Sequence, residues 1–176
     1  MAKYIRMISN LDIPDIKALM DIIPTQSKVT LAGWAVDYAE EKLLPLWAKA
    51  YPGDSRPQAA LTAAREMIAG KIKWNDGLYT AVKACVQAAK DVDDDITARI
   101  AARAIAQCCS TIHSGSHSIG IAFYGALAVA YDALGAGAPR AALEEYAAGE
   151  CAKMEARLRA IAVEDEPNPV NIKWNC

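Results

Sequence analysis

The chain has 176 residues, enough for one domain with a hydrophobic core of its own. Hydrophobic residues make up 53% of it, which excludes a disordered chain, and the net charge of −2 gives no indication of a nucleic-acid-binding surface. Abundant alanine, few aromatic residues and the lack of a period-2 strand pattern favour helices. We therefore predict an all-α fold, a single-domain bundle of six or seven helices around a central uncharged helix rich in small residues.

The first half of the chain shows the patterns of four helices. A lead-in and a first helix occupy residues 1–26, and Pro24 ends that helix. Pro45 lies inside the second helix and predicts a kink there, because proline lacks an N–H group and crowds the preceding turn. Trp74 lies in the connector before the fourth helix, and its side chain is expected to pack into the bundle and close a gap there. The N-cap residues predicted for the four helices are Asp12, Ser27, Ser55 and Asp76.

In the second half, an acidic loop at residues 91–95 precedes a helical pattern that runs from 96 to 134. One unbroken helix of that length would measure about 60 Å, so we predict a break near residues 114–116. A last helix extends to about residue 162, and residues 163–176 form an extended tail that docks on a neighbour through Val170, Ile172 and Trp174. The predicted division is therefore 1–26, a helical domain at 27–162, and the tail.

Charge and cysteine content bear on compartment and partners. Residues 1–90 carry 12 Lys/Arg and 9 Asp/Glu, whereas residues 91–176 carry 7 and 12, so the acidic half favours a basic partner. The five cysteines are odd in number and lack CxxC spacing, which predicts neither a disulfide framework nor a zinc knuckle. The N-terminal residues do not read as a signal peptide, so we expect a cytoplasmic protein.

The stretch from Ala104 to Tyr131 contains no charged side chain and holds both histidines of the chain. It is long enough to span a bilayer, but its serines, threonines and histidines favour a buried core helix over a membrane segment. On a continuous helix, His113 and His117 lie one turn apart on one face, and Tyr124 follows two turns later.

The two histidines have two interpretations. Imidazoles at i and i+4 can share a metal ion if Asp37, Glu41 or Glu66 completes the ligand set. Alternatively, both rings are buried, neutral and hydrogen-bonded to neighbouring hydroxyls and carboxylates. We favour the second interpretation, in which the histidines belong to a buried polar hub, and we expect no cofactor.

Charged residues elsewhere complete the set of candidates. Asp37 and Glu41 repel each other unless a cation such as Arg65 or protonated His113 lies between them. Arg56 suits a clasp with Asp54 across a turn, or a contact with phosphate or an acidic partner. The candidate binding residues are Asp37, Glu41, Arg56, Arg65, Glu66, His113, His117 and Tyr124.

Three runs of the sequence carry a resemblance to a known family: WAVDYAEEKLLPLW (34–47), YPGDSRPQAALTAAREMIAGKI (51–72) and TIHSGSHSIGIAFYGALA (111–128). They resemble the bacterial "putative immunity protein" family, the fifth-immunity-protein-like group of polymorphic toxin systems. The resemblance runs from about residue 31 to 134, and its most specific parts are Asp54-Ser-Arg56-Pro57 with Arg65, and His113-x-x-x-His117 leading to Tyr124. It implies an all-helical cytoplasmic protein that binds and neutralises a toxin.

Three functions remain as hypotheses. The first is a non-enzymatic immunity protein whose cognate toxin meets an acidic surface, with no nucleic acid or membrane as partner. The second is a metal-binding domain or an enzyme that uses His113 and His117 with the carboxylates. The third is a self-associating helical module, a homo-oligomer, that exposes Trp47 or Trp174. The acidic contact residues expected under the first hypothesis are Asp93, Asp94, Asp95, Glu144 and Glu145.

Overall fold

A computed structural model describes residues 4–174, and this part of the chain folds into helices without a β-strand. The second and third α-helices join end to end and count as one, so the bundle has seven helices. The all-α prediction is confirmed. The α-helices are α1 (Pro14–Ile22), α2 (Lys28–Tyr38), α3 (Leu44–Ala50), α4 (Arg56–Ile68), α5 (Leu78–Asp91), α6 (Ile96–Ser110), α7 (Ala126–Leu134) and α8 (Arg140–Ile161).

The junction of α2 and α3 shows how the chain accommodates Pro45. The segment Ala39–Leu43 forms a wide helical turn, in which the N–H of Leu44 donates to the carbonyl of Ala39, five residues back. Because a proline ring clashes with the carbonyl four residues before it, the wider turn relieves crowding that a regular helix would impose. Where the sequence predicted a kink, the structure shows a wide turn that ends two residues before the proline.

The centre of the bundle is α6, which packs against α2, α3, α4, α5 and α7. Its inner side chains are small or branched, and Ala101, Ala104 and Cys108 are fully buried. Small residues let neighbouring helices approach closely on several sides at once. The central helix is thus not the uncharged stretch as predicted, because α6 also carries Arg99 and Arg103 on its outer face.

The uncharged stretch is divided between two elements. It begins in the second half of α6, leaves the helix at Thr111–Ser114, and resumes as a short tight helix at Gly115–Ile119 that leads through a wide turn (Ile121–Gly125) into α7. The predicted break is confirmed. Residues Gly115–Leu134 are apolar and long enough to cross a membrane, and 61% of the most apolar window is buried inside the fold, which is the packing of a core helix.

Two of the four predicted N-caps are wrong. α1 begins after Ile13, and Asp12 instead pairs with Lys17 at 3.0 Å. Asp76 accepts the N–H of Lys73 and closes a short turn, so α5 starts one step later, after Gly77. The φ of Gly77 is +146°, a conformation that residues with a side chain rarely adopt, and it lets the chain turn between the two elements.

Ser27 and Ser55 occupy the predicted N-cap positions, but only Ser27 caps with its side chain. Its hydroxyl accepts the N–H of Thr30 at 3.2 Å. At α4 the same task falls to Asp54, whose carboxylate accepts the N–H of Arg56 at 3.0 Å.

The tail does not project from the bundle. It folds back on the N-terminal part of the chain. The indole N–H of Trp174 donates to the carbonyl of Met20 at 2.7 Å, and Val170 lies against Gly115. Both side chains are half-buried. The hypothesis of a self-associating module expected Trp47 or Trp174 to be exposed. That expectation is wrong, because Trp47 is 2% exposed and Trp174 is docked.

Candidate functional site

Arg65 on α4 lies between two carboxylates, those of Asp37 on α2 and Glu40 in the wide turn that follows α2. Its Nη2 is 2.5 Å from an oxygen of Asp37 and 2.6 Å from an oxygen of Glu40, and its Nε donates to Glu40 at 3.2 Å. The hydrogen bonds that Arg65 donates to Glu40, followed by the one that it donates to Asp37, raise the pKa of Arg65. Arg65 thus plays the predicted role of a cation between two acids, but the second acid is Glu40 and not Glu41.

Glu41 points to a different helix. It pairs with Arg157 on α8 and with Lys42 at 3.2 Å, and the hydrogen bond from Arg157 is the main reason why the pKa of Glu41 is lowered. Glu40 and Glu41 stand at i+3 and i+4 from Asp37, and both spacings make neighbours on a helix. The positions of α4 and α8 decide which acid meets which arginine. Glu66 is exposed on α4.

Arg56 forms a clasp with two acids. Its Nη2 is 2.6 Å from Asp54, and its Nη1 is 2.7 Å from Asp91 at the end of α5. Hydrogen bonding to Arg56 lowers the pKa of both carboxyl groups, and the carbonyl of Asp54 also accepts the indole N–H of Trp47 at 2.8 Å. The clasp joins the α3–α4 turn to α5, so the guanidinium already has two carboxylate partners within the protein.

The histidines do not share a helix face, which corrects the prediction. His113 lies in the turn after α6, is exposed, and stacks on Trp74 with ring centroids 4.2 Å apart. His117 lies in the short helix beyond the break, and its Nδ1 is 2.7 Å from Oε1 of Gln107. Burial, and then the charge of His113, lowers the pKa of His117 and so favours the neutral form of its ring.

The residues expected to form one buried hub therefore lie in separate places. Tyr124 is half-buried, with the guanidinium of Arg103 5.1 Å from its ring centroid and its hydroxyl 3.6 Å from the sulfur of Met7. Across residues 4–174, no three His, Cys, Asp or Glu side chains lie close enough together to hold a metal ion. The ligand set predicted around His113 and His117 is not assembled in this part of the chain.

Glycine is required at position 120 because its backbone packs closely against the side chain of Gln107. A Cβ added at Gly120 would lie 2.7 Å from the Cβ of Gln107, an atom that the backbone of α6 fixes in place. We expect Gly120→Ala to lower the free energy of unfolding by about 1–3 kcal/mol, the usual cost of overpacking. Chemical denaturation measures this change.

A matched control for that substitution is Gly149→Ala. Gly149 lies inside α8 and is exposed, and a Cβ there would meet nothing within 4 Å. Alanine in a helix is favoured over glycine, so this variant should gain about 0.5–1 kcal/mol. Equal stability of the two variants would contradict the packing argument for Gly120.

One buried polar contact was missed at the sequence level. Glu150 on α8 is 4% exposed; it accepts the hydroxyl of Tyr38 at 3.4 Å and pairs with Lys153 at 2.5 Å. Burial, reinforced by the charge of Glu150, raises the pKa of Tyr38. The burial of Glu150 could have been predicted from the sequence, because residue 150 falls on the apolar stripe of α8, at helical spacing between Ala147 and Met154.

The acids expected to meet a basic partner differ in their availability. Asp95 accepts the N–H of Ala98 at 2.8 Å as the N-cap of α6. Glu144 pairs with Arg140 at 2.7 Å. Asp93, Asp94 and Glu145 are exposed. Two of the five predicted contact residues thus have local structural roles.

Comparison with known proteins identifies the group to which the chain is related. A family model described as "Imm-5 like putative immunity protein" matches residues 21–157. The chain belongs to this family. No curated protein and no solved structure matches it. The Imm-5 like match covers helices α2 to α7 and most of α8, so it includes the Arg65 cluster, the Asp54–Arg56 clasp and both histidines. The family name suggests an immunity function, which in general implies a protein partner.

Proposed function

We propose that this protein is an immunity protein that binds a bacterial toxin in the cytoplasm and neutralises it without catalysing a reaction. The observation that carries the proposal is the family match over residues 21–157. A protein of this size can block a toxin by covering its active surface, because a standard interface needs only about 800 Å² from each partner.

The arrangement of the polar residues supports a binding protein over an enzyme. Arg65, Arg56 and Glu41 are each held in ion pairs that join separate parts of the bundle, and these pairs are partly open to solvent. An acid–base site instead needs titratable groups that converge on a shared space for the substrate. These side chains act as connections within the scaffold.

The test is co-expression with the toxin-domain proteins encoded beside its gene. We expect a stoichiometric complex on size-exclusion chromatography with light scattering, weakened as salt screens the charged contacts, together with relief of toxicity in cells. The matched control is a toxin domain from an unrelated locus, which should elute separately. Failure to bind any neighbouring toxin domain would contradict the proposal. Light scattering of the chain alone tests the separate hypothesis that the protein self-associates.

A further inference from the structure

A groove of about 460 Å³ runs along the outer faces of α5 and α6, and the N-terminal segment borders it. On α6 its lining residues recur at helical spacing from Ile96 to Gln107, and these two ends lie about 16 Å apart along the helix axis. Its lining residues are Arg6, Val86, Ala89, Lys90, Ile96, Arg99, Ile100, Arg103, Ala106 and Gln107.

The charged lining of this groove is entirely positive. Arg6, Lys90, Arg99 and Arg103 all contribute to it, and it contains no acid, although the net charge of the whole chain is −2. Within residues 4–174, none of the four cations forms an ion pair with a carboxylate. Four positive charges along one groove attract an anion and repel a cation.

Two of the cations are held in place by neutral groups. Arg99 donates to the carbonyls of Val92 and Asp93 at 2.5 and 2.7 Å, and Arg103 lies over the ring of Tyr124. These contacts orient the guanidinium groups and leave their charge in place. A partner that approaches the groove meets arginines already positioned for a carboxylate.

Apart from Gln107, the other lining residues are apolar. Ile96, Ile100 and Ala89 are buried, and Val86 is 37% exposed. A ligand that fills the groove therefore meets an apolar surface at Val86 as well as the four cations. About five residues of extended peptide span 16 Å, which is the length of the α6 face.

We propose that this groove binds an acidic segment of the toxin, in which aspartate or glutamate side chains meet the arginines and an apolar side chain packs against Val86. This inference rests on the proposed function and names the surface that performs it. A nucleic acid fits less well than a short peptide. The exposed Asp93 and Asp94 lie in the α5–α6 turn, whose carbonyls accept from Arg99, and would repel a phosphate backbone that continued past the end of the groove.

The deciding experiment compares toxin binding by the wild-type protein with binding by two charge-reversal variants, one inside the groove and one outside it. We expect the double variant Lys90→Glu/Arg103→Glu to weaken toxin binding about 100-fold, since removing a charge pair also leaves the toxin's acids facing like charge. The control Lys28→Glu/Lys71→Glu makes the same change in net charge at exposed lysines outside the groove and should bind within about threefold of wild type. Circular dichroism confirms that both variants are folded.

Equal binding by the two double variants would overturn the groove proposal and leave the proposed function intact. If the wild-type chain binds no toxin, the proposed function fails, and a titration of the ¹⁵N-labelled protein then decides the groove. The probe is a blocked peptide of alternating glutamate and leucine, with a lysine–leucine peptide as control. Shifts confined to residues such as Ile96 and Arg103, and seen with the acidic peptide only, would support an acidic-peptide site. No localised shift, or tighter binding of a short oligonucleotide at the same residues, would overturn it.

Discussion

Trp47→Ala should be the most damaging single substitution in the protein, with a loss of about 3–5 kcal/mol in the free energy of unfolding. Trp47 is 2% exposed and fills a separate small core with residues of α5 and α6, among them Ala89 and Ala98. Its ring stacks on Tyr51 at 4.7 Å, and its N–H bonds the carbonyl of Asp54. Alanine would leave a cavity where α3, α5 and α6 meet and would free the turn that carries the Asp54–Arg56 clasp. Urea denaturation measures the loss.

Two variants separate the contributions to this effect. Trp47→Phe keeps an aromatic ring against Tyr51 and loses the hydrogen bond, so it should cost less than the alanine variant. Trp74→Ala removes the same side chain from a half-buried position beside His113 and should also cost less, because less apolar area returns to water. A loss below about 1 kcal/mol for Trp47→Ala would contradict the packing described for the α3–α5–α6 core.

Ending the chain at Ala162 should lower the free energy of unfolding by roughly 2–3 kcal/mol, because the tail covers apolar surface on the N-terminal part. The N–H groups of Val170 and Asn171 bond the carbonyls of Gln26 and Pro24 at 3.0 and 3.1 Å. The side chain of Gln26, 2% exposed, bonds both backbone groups of Val163. Thermal melting of the shortened chain against the full chain measures the effect.

Point variants test the same docking without shortening the chain. Trp174→Ala removes the bond to Met20 and a half-buried ring, and Gln26→Ala leaves the backbone of Val163 without its partner, so each should lower the melting temperature. Lys173→Ala, an exposed tail position between docked residues, should leave it unchanged. A truncated chain that melts with the full chain would show that the tail adds no stability.

Local patterns predicted much of the helical structure. The apolar spacing marked the helices, Ser27 marked a true N-cap, and Pro45 and the serine-rich run at 114–116 marked interruptions. Each of these depends on atoms within about one turn of the residue concerned, so a short window of sequence contains the cause. Asp12 and Asp76 failed as caps because an alternative local partner, Lys17 or the N–H of Lys73, competed for each carboxylate.

The candidate site was predicted less well, because its partners come from distant parts of the chain. Spacing indicated that Asp37 needs a cation and that Arg65 was available, and the two residues do meet. Spacing did not distinguish Glu40 from Glu41, and it placed His113 and His117 on one face only under the assumption of an unbroken helix. The break at Thr111–Ser114 turns one ring to Trp74 and the other to Gln107.

By itself, then, the sequence determined that the chain is helical, where most of the helices begin and end, and which family it resembles. Only the tertiary structure decided which helix faces meet. It buried Trp47, docked Trp174, and lined the groove between α5 and α6 with Arg6, Lys90 and the arginines of α6. The physical reason is that helical periodicity arises from bonds four residues apart, whereas a groove depends on the packing of segments that the chain brings together from far along its length.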